Sequence, residues 1–171
     1  YGRINIGNGK KVMVEFVSAN PTGPLHMGNA RGGALGDLIA SVLDAAGYNV
    51  TREFYINDAG NQIEKFGRSL EARYIQLLKG NDAVEFPEDG YHGEDIIDHM
   101  KAFIAENGDK LLEADPEERR RTLVEFALPR NIENIRKGLE AYGIKYDVWF
   151  SEQSLYDNGD IQRTLDYLKE N

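Results

Sequence analysis

Apolar and polar residues alternate at the start of the chain. Over residues 11–17, Val12, Val14 and Phe16 interleave with Met13, Glu15 and Val17, and the β-rich composition predicts a strand. Two prolines and a glycine within residues 18–25 predict a loop. The period then lengthens. Leu35, Leu38, Ile39, Val42 and Leu43 fall on a helical spacing within residues 27–46, and Gly47 stops the run. Residues 49–56 return to β-branched and aromatic side chains, which predicts a second strand. Strand, helix and strand in this order predict a right-handed βαβ unit.

Helical periodicity dominates the next stretch. Asn57 or Asp58 is placed to cap a helix striped by Ile63, Phe66, Leu70, Tyr74, Leu77 and Leu78, which Lys79-Gly80 ends. Residues 81–93 are polar and carry Pro87 and two glycines, so they read as a loop. Ile96, Ile97, Met100, Phe103 and Ile104 predict a short helix ending near Gly108. Asp115-Pro116-Glu117-Glu118 supplies a capping acid, a proline at the first helical position and a glutamate at the third, so another helix opens there. Pro129 is expected to kink or break it. Ile132, Ile135, Leu139 and Tyr142 then carry the stripe to Gly143. Residues 146–150 read as a third strand; after a loop from Leu155, a last helix starts near Asp160. The layout is α/β: a βαβ unit, a helical insertion, and a return to strand and helix.

The first helix also carries small residues. Gly28, Gly32, Gly36 and Ala40 fall four apart and share a face. Each interior glycine costs roughly 0.8–1 kcal/mol in helix propensity, so something offsets it. Two explanations stay open: close packing on the sheet, and backbone access to a ligand at the helix start. The preceding loop lies at the carboxyl end of a strand, where open α/β sheets bind ligands. The helix start offers free N–H groups and a positive dipole end to a phosphate. His26 stands there, two residues before Gly28. The common nucleotide motifs do not fit: residues 28–33 lack the phosphate-loop lysine, and Ala30 stands where the dinucleotide fingerprint needs glycine. Taken alone, His26 is better explained by a structural hydrogen bond in a polar loop.

Composition narrows the chemistry. With no cysteine there is no disulfide, no cysteine nucleophile and no cysteine-based zinc site. His92 and His99 read as surface residues, and no spacing suggests a dedicated metal site. The hydrophobic fraction of 41% supports a core. No apolar run approaches the roughly 18 residues that span a bilayer, and no apolar signal segment follows the first residues. A cytoplasmic protein with no membrane partner is expected, and the opening Tyr1-Gly2-Arg3-Ile4 reads as a domain boundary. The net charge of -9 is a poor match for nucleic acid. Arg119, Arg120, Arg121, Arg130, Arg136 and Lys137 are interleaved with Glu117, Glu118, Glu125 and Glu133, which predicts a solvated helix face rather than a phosphate-binding one.

His26-Met27-Gly28-Asn29 resembles the HIGH signature of the class I aminoacyl-tRNA synthetases. Its surroundings resemble the arginyl branch: the string from Val14-Glu15-Phe16 through Ser18-Ala19-Asn20-Pro21-Thr22-Gly23-Pro24-Leu25, then Ala30-Arg31-Gly32-Gly33-Ala34, and later Asn57-Asp58-Ala59-Gly60-Asn61-Gln62-Ile63. The likeness covers residues 11–70 firmly and 131–152 more loosely. It implies an α/β, Rossmann-like half-domain with a helical insertion: residues 1–80 the HIGH half, 81–143 the insertion, 144–171 the return. It implies activation of arginine by ATP, which arrives with Mg2+ and needs no tightly bound cofactor, and transfer to tRNA(Arg). His26, Gly28 and Asn29 are then the expected ATP-binding residues, with His26 and Asn29 catalytic. Glu15, Ser18 and Asn20 are the expected arginine-binding residues, the Glu15 carboxylate meeting the positive substrate.

The chain departs from the family pattern in places. Asn29 stands where the signature usually has a second histidine; it donates hydrogen bonds but carries no charge. The second class I signature, KMSKS, and the anticodon-binding helical domain are absent from these 171 residues, which are therefore expected to be inactive alone. Two further readings stay open. Another class I synthetase or nucleotidyltransferase would respond to a different amino acid. A non-catalytic binding domain would show no pyrophosphate exchange.

Overall fold

In the computed structural model, which describes residues 2–171, β1 (Lys11–Glu15), α1 (Met27–Ala45) and β2 (Asn49–Ile56) form the expected strand–helix–strand unit. The two strands are parallel, with Lys11 opposite Asn49 and Glu15 opposite Glu53. β3 (Val148–Ser151) pairs with the other edge of β2, also parallel, so the sheet order is β1-β2-β3. Between β2 and β3 lie α2 (Asn61–Lys79), a 3-10 turn (Asn81–Ala83), α3 (Glu94–Asn107) and α4 (Pro116–Ala141). α5 (Gln153–Asp157) and α6 (Asp160–Glu170) follow β3. The fold is α/β with parallel strands, a crossover helix and a helical insertion, as the periodicity predicts.

The chain divides into two compact units. The first gathers the residues through Asn20, Leu25–Asp58 and Arg136–Asn171; the second gathers Pro21–Pro24 and Ala59–Ile135. α2, grouped by sequence with the first 80 residues, clusters with the second unit.

In the first unit the strands converge on aromatic rings. Phe54 stacks on Trp149 at 4.5 Å and meets Tyr146 edge-on at 5.5 Å, while Phe16 lies 4.6 Å from Tyr146. The Tyr146 hydroxyl donates to the Phe16 carbonyl at 3.0 Å. This role removes Tyr146 from the strand expected at 146–150: its ring is spent on the core, and β3 starts two residues later. On α1 the buried residues are Gly33, Gly36 and Ala40. A methyl at Gly36 would run into the Phe16 side chain, so close packing explains that glycine; nothing lies within 4 Å of one at Gly32. Of the predicted set Gly36 and Ala40 are buried, while Gly28 and Gly32 are exposed and Gly33 takes the remaining place. Leu35, Leu38, Ile39 and Val42, the stripe that announced the helix, are exposed.

The second unit buries Phe66, Leu70 and Tyr74 of α2 against Ile96, Met100 and Phe103 of α3 and Leu123 and Ala127 of α4. α2 does not start on Asn57 or Asp58. Its N-cap is Gly60, at φ +85°, with no side-chain cap. α4 does start as predicted, with the Asp115 carboxylate accepting from the Glu117 and Glu118 N–H groups. Pro129 does not break it: the helix runs unbroken from Pro116 to Ala141. The Arg130 guanidinium reaches back to the Phe126 carbonyl at 2.7 Å, one turn below.

Two polar residues of this unit are buried, against expectation. Arg119 is not on a solvated face. Its guanidinium donates to the Leu111 and Ala114 carbonyls and pairs with Glu71, so it closes the turn before α4. His99 is not on the surface either. Its Nε2 lies 2.7 Å from Asn131 Oδ1, and the Asn131 amide donates to the Pro21 carbonyl at 2.9 Å. That buried relay holds the loop residues Pro21–Pro24, with Pro21 and Thr22 themselves buried.

Candidate active site

All the candidate residues belong to the first unit, at the carboxyl ends of its strands and the start of α1. β1 ends at Glu15, earlier than the alternation suggests, because the backbone then turns sharply. Val17 and Ser18 both have positive φ, +68° and +43°. The Ser18 N–H closes on the Phe16 carbonyl at 3.0 Å, the i to i+2 bond of a γ-turn centred on Val17. A β-branched residue in that region is strained by about 1–3 kcal/mol. Such strain persists where surrounding contacts over-determine it, and functional sites collect it.

Those contacts are visible. The Ser18 hydroxyl donates to Glu15 Oε1 at 2.6 Å and accepts the Tyr55 N–H at 3.1 Å. Asn20, two residues on, accepts from the Asn57 amide at 3.0 Å. Asp58 joins the ends of β2 and β3: its carboxylate accepts from Ser151 Oγ at 2.6 Å and from the Gln153 N–H at 2.8 Å. The Tyr55 phenol is held above its ordinary pKa, first by partial burial, then by the carboxylates of Glu152 and Asp58, with Glu15 contributing less. The strand ends thus form a negatively charged rim suited to a cation.

His26 and Asn29 build the start of α1 between them. His26 is the N-cap, and its Nδ1 accepts the Gly28 N–H at 3.1 Å. Asn29 Oδ1 accepts the His26 N–H at 2.9 Å. This is a capping box with imidazole and amide in the usual hydroxyl and carboxylate positions. Because the cap uses the Nδ1 lone pair, the ring's remaining donor is Nε2–H. Asn29 likewise keeps only its amide N–H groups for a ligand. Gly28 packs under the ring: a methyl there would stand 2.9 Å from His26 Cε1. Beside this cap is a cleft of about 540 Å³ lined by Leu25, His26, Met27, Ala30, Gly138, Leu139 and Tyr142. It is largely apolar, with one ring donor at its edge.

The structure therefore brings His26, Gly28 and Asn29 together, and Glu15 with Ser18. Asn20 is joined to Asn57, which reading from sequence took for a helix cap. Glu15, Ser18, Asn20 and Gly28 do not line the cleft beside His26. Among the described residues no group of three or more histidine, aspartate or glutamate side chains is placed to hold a metal ion. Among the described residues no helix is long and apolar enough to cross a membrane.

A parallel half-sheet whose first crossover helix starts on a histidine cap fits the class I synthetase domain that the sequence resembles. The family described as "tRNA synthetases class I (R), catalytic domain" matches residues 1–92, and the chain belongs to it. Its curated relatives include the arginine–tRNA ligases of Acetivibrio thermocellus, 82% identical over 170 residues, and Ruminiclostridium cellulolyticum, 76% identical over the same length. Each match covers 99% of this chain and 30% of the relative, so the chain spans about a third of the proteins it matches. A solved structure from Campylobacter jejuni, described as an arginyl-tRNA synthetase, superposes with a TM-score of 0.83 at 36% identity, over 99% of this chain and 36% of that one. The arginyl-tRNA synthetase of Thermus thermophilus shares the fold at a TM-score of 0.61 and 24% identity, over 99% of this chain and 27% of its own.

Proposed function

We propose that the polypeptide carrying this chain activates arginine with ATP and transfers it to tRNA(Arg), and that these residues form one half of the active site. The observation that carries the proposal is the pairing of an acidic strand-end rim with a histidine-capped helix start in one unit. The rim suits the cationic amino acid, through charge-assisted hydrogen bonds to Glu15, with Ser18 and Asn20 as its neighbours. The helix start suits an anion, through His26 Nε2–H, the Asn29 amide and the positive end of the α1 dipole. Donors aimed at the α-phosphate as pyrophosphate leaves stabilise the charge that develops there. Gly28 keeps the backbone low beneath the nucleotide. Mg2+ enters with ATP as part of the substrate. Such an enzyme works in the cytoplasm.

The test is amino-acid-dependent exchange of pyrophosphate into ATP by the complete natural polypeptide with tRNA present. Arginine should support exchange, and lysine, glutamate and cysteine should not. His26→Ala should lower kcat by about 100-fold or more, the loss typical of removing one such donor. Exchange driven by another amino acid, or no exchange at all, would overturn the assignment. The 171 residues alone should form no arginyl-tRNA.

A further inference from the structure

We propose that His99 and Asn131 are positioning residues for His26, because they moor the loop that leads into it. This rests on the reading of the α1 start as the ATP site. The loop is poor in bonds of its own. Pro21 and Pro24 have no N–H to donate. Among the described residues, the backbone of residues 21–25 has a single hydrogen-bond partner. It is the Asn131 amide, which donates to the Pro21 carbonyl at 2.9 Å. Pro21 is fully buried, so without that amide its carbonyl would be left unpaired, away from water.

Asn131 is itself held. Its side chain presents an acceptor oxygen on one arm and a donor nitrogen on the other. His99 Nε2 lies 2.7 Å from the oxygen, Oδ1. With the ring donating there, the nitrogen is turned toward Pro21. Asn131 is 4% exposed and His99 8%, so solvent does not compete for either bond. The relay thus runs from α3 through α4 to the loop. Packing alone does not fix that loop. A cavity of about 170 Å³, lined by Gly23, Pro24, His99 and Asn131 among others, leaves an unmoored loop room to move. The moored residues join Asn20 to Leu25 and His26, so candidate site residues stand at both ends of the loop. Misplacing a reacting group by about 1 Å can cost about 100-fold in rate.

The experiment reads kcat from pyrophosphate exchange in the complete natural polypeptide, and Tm from thermal unfolding. Asn131→Leu keeps the side chain's shape and removes both polar atoms. It should lower kcat about tenfold or more. His99→Leu removes the ring donor and should do the same. His99→Gln, whose amide is again a donor to Asn131 Oδ1, should recover most of the loss. In the His26→Ala background, His99→Leu and Asn131→Leu should each lower kcat by about twofold at most, because the residue they act through is gone. The His99 pair carries the test if Asn131→Leu lowers Tm below the assay temperature. Equal fold losses with and without His26 would reduce the relay to a structural role and overturn this assignment alone. Equal kcat in His99→Gln and His99→Leu would overturn it as well. A wild-type protein with no response to arginine would remove the reading of the whole site, and this inference with it.

Discussion

Gly36 and Gly32 sit one helical turn apart, yet they predict opposite outcomes. Gly36→Ala forces a methyl into the Phe16 side chain. Overpacking of this kind should lower stability by about 1–3 kcal/mol. Gly32→Ala meets nothing within 4 Å and should raise stability by about 0.8–1 kcal/mol through helix propensity. Thermal unfolding of the two variants checks both signs. Tyr146 makes a pH prediction. Burial pushes its phenol above the ordinary value of 10.0, with Asp37 adding to the shift. The unfolded chain therefore loses this proton first as pH rises past 10.0, so the contribution is complete below that pH and is lost above it. Tyr146→Phe should cost about 1 kcal/mol at neutral pH, through the hydrogen bond to the Phe16 carbonyl, and should make the alkaline loss of stability shallower. Urea unfolding at pH 7 and in the alkaline range, in both proteins, measures this.

At the scale of the element, the start of α1 combines two roles that substitution can separate. His26→Ala should lose the cap and cost about 0.5–2 kcal/mol of stability. His26→Asn, an equally good capping residue, should keep stability near wild type while still lacking the imidazole donor. Comparing Tm with pyrophosphate exchange for the two variants distinguishes helix start from chemistry. The elements themselves were largely legible in sequence, because period two and period three-to-four are direct prints of strand and helix. The boundaries were not. Alternation through Val17 favours an extended strand, and nothing local predicts a valine at φ +68°; that turn depends on partners as far away as Tyr55 and Tyr146. The HIGH-like string gave the position of the histidine but not its cap, because imidazole and asparagine are unusual in a capping box. His99 and Arg119 looked solvated because their partners Asn131 and Glu71 are tertiary contacts, and the Leu111 and Ala114 carbonyls belong to a turn, none of which periodicity records.

For the molecule as a whole, exposed apolar surface is the leading physical fact. Leu35, Leu38, Ile39 and Val42 line the outer face of α1, and Ile161, Leu165 and Leu168 fall along α6, all exposed in the 171-residue chain. Apolar stripes of this kind promote association. The isolated chain should bind a hydrophobic dye and self-associate with rising concentration. Leu38→Lys with Val42→Glu should suppress both without lowering Tm, since neither side chain is buried; dye fluorescence and sedimentation test it.

The order of the units along the chain sets a timetable. Arg52 on β2 and Asp147 beside β3 are joined by a hydrogen bond across 95 positions. Polypeptide emerges from the ribosome at about 5–20 residues per second. The edge of β2 that receives β3 therefore waits roughly 5–20 s for its partner during synthesis. Almost the whole second unit is made in that interval, and its helices, paired through near neighbours, form faster than parallel strands do. The nascent chain thus carries an open strand edge for as long as the second unit takes to be made, which is when a chaperone would be of most use to it.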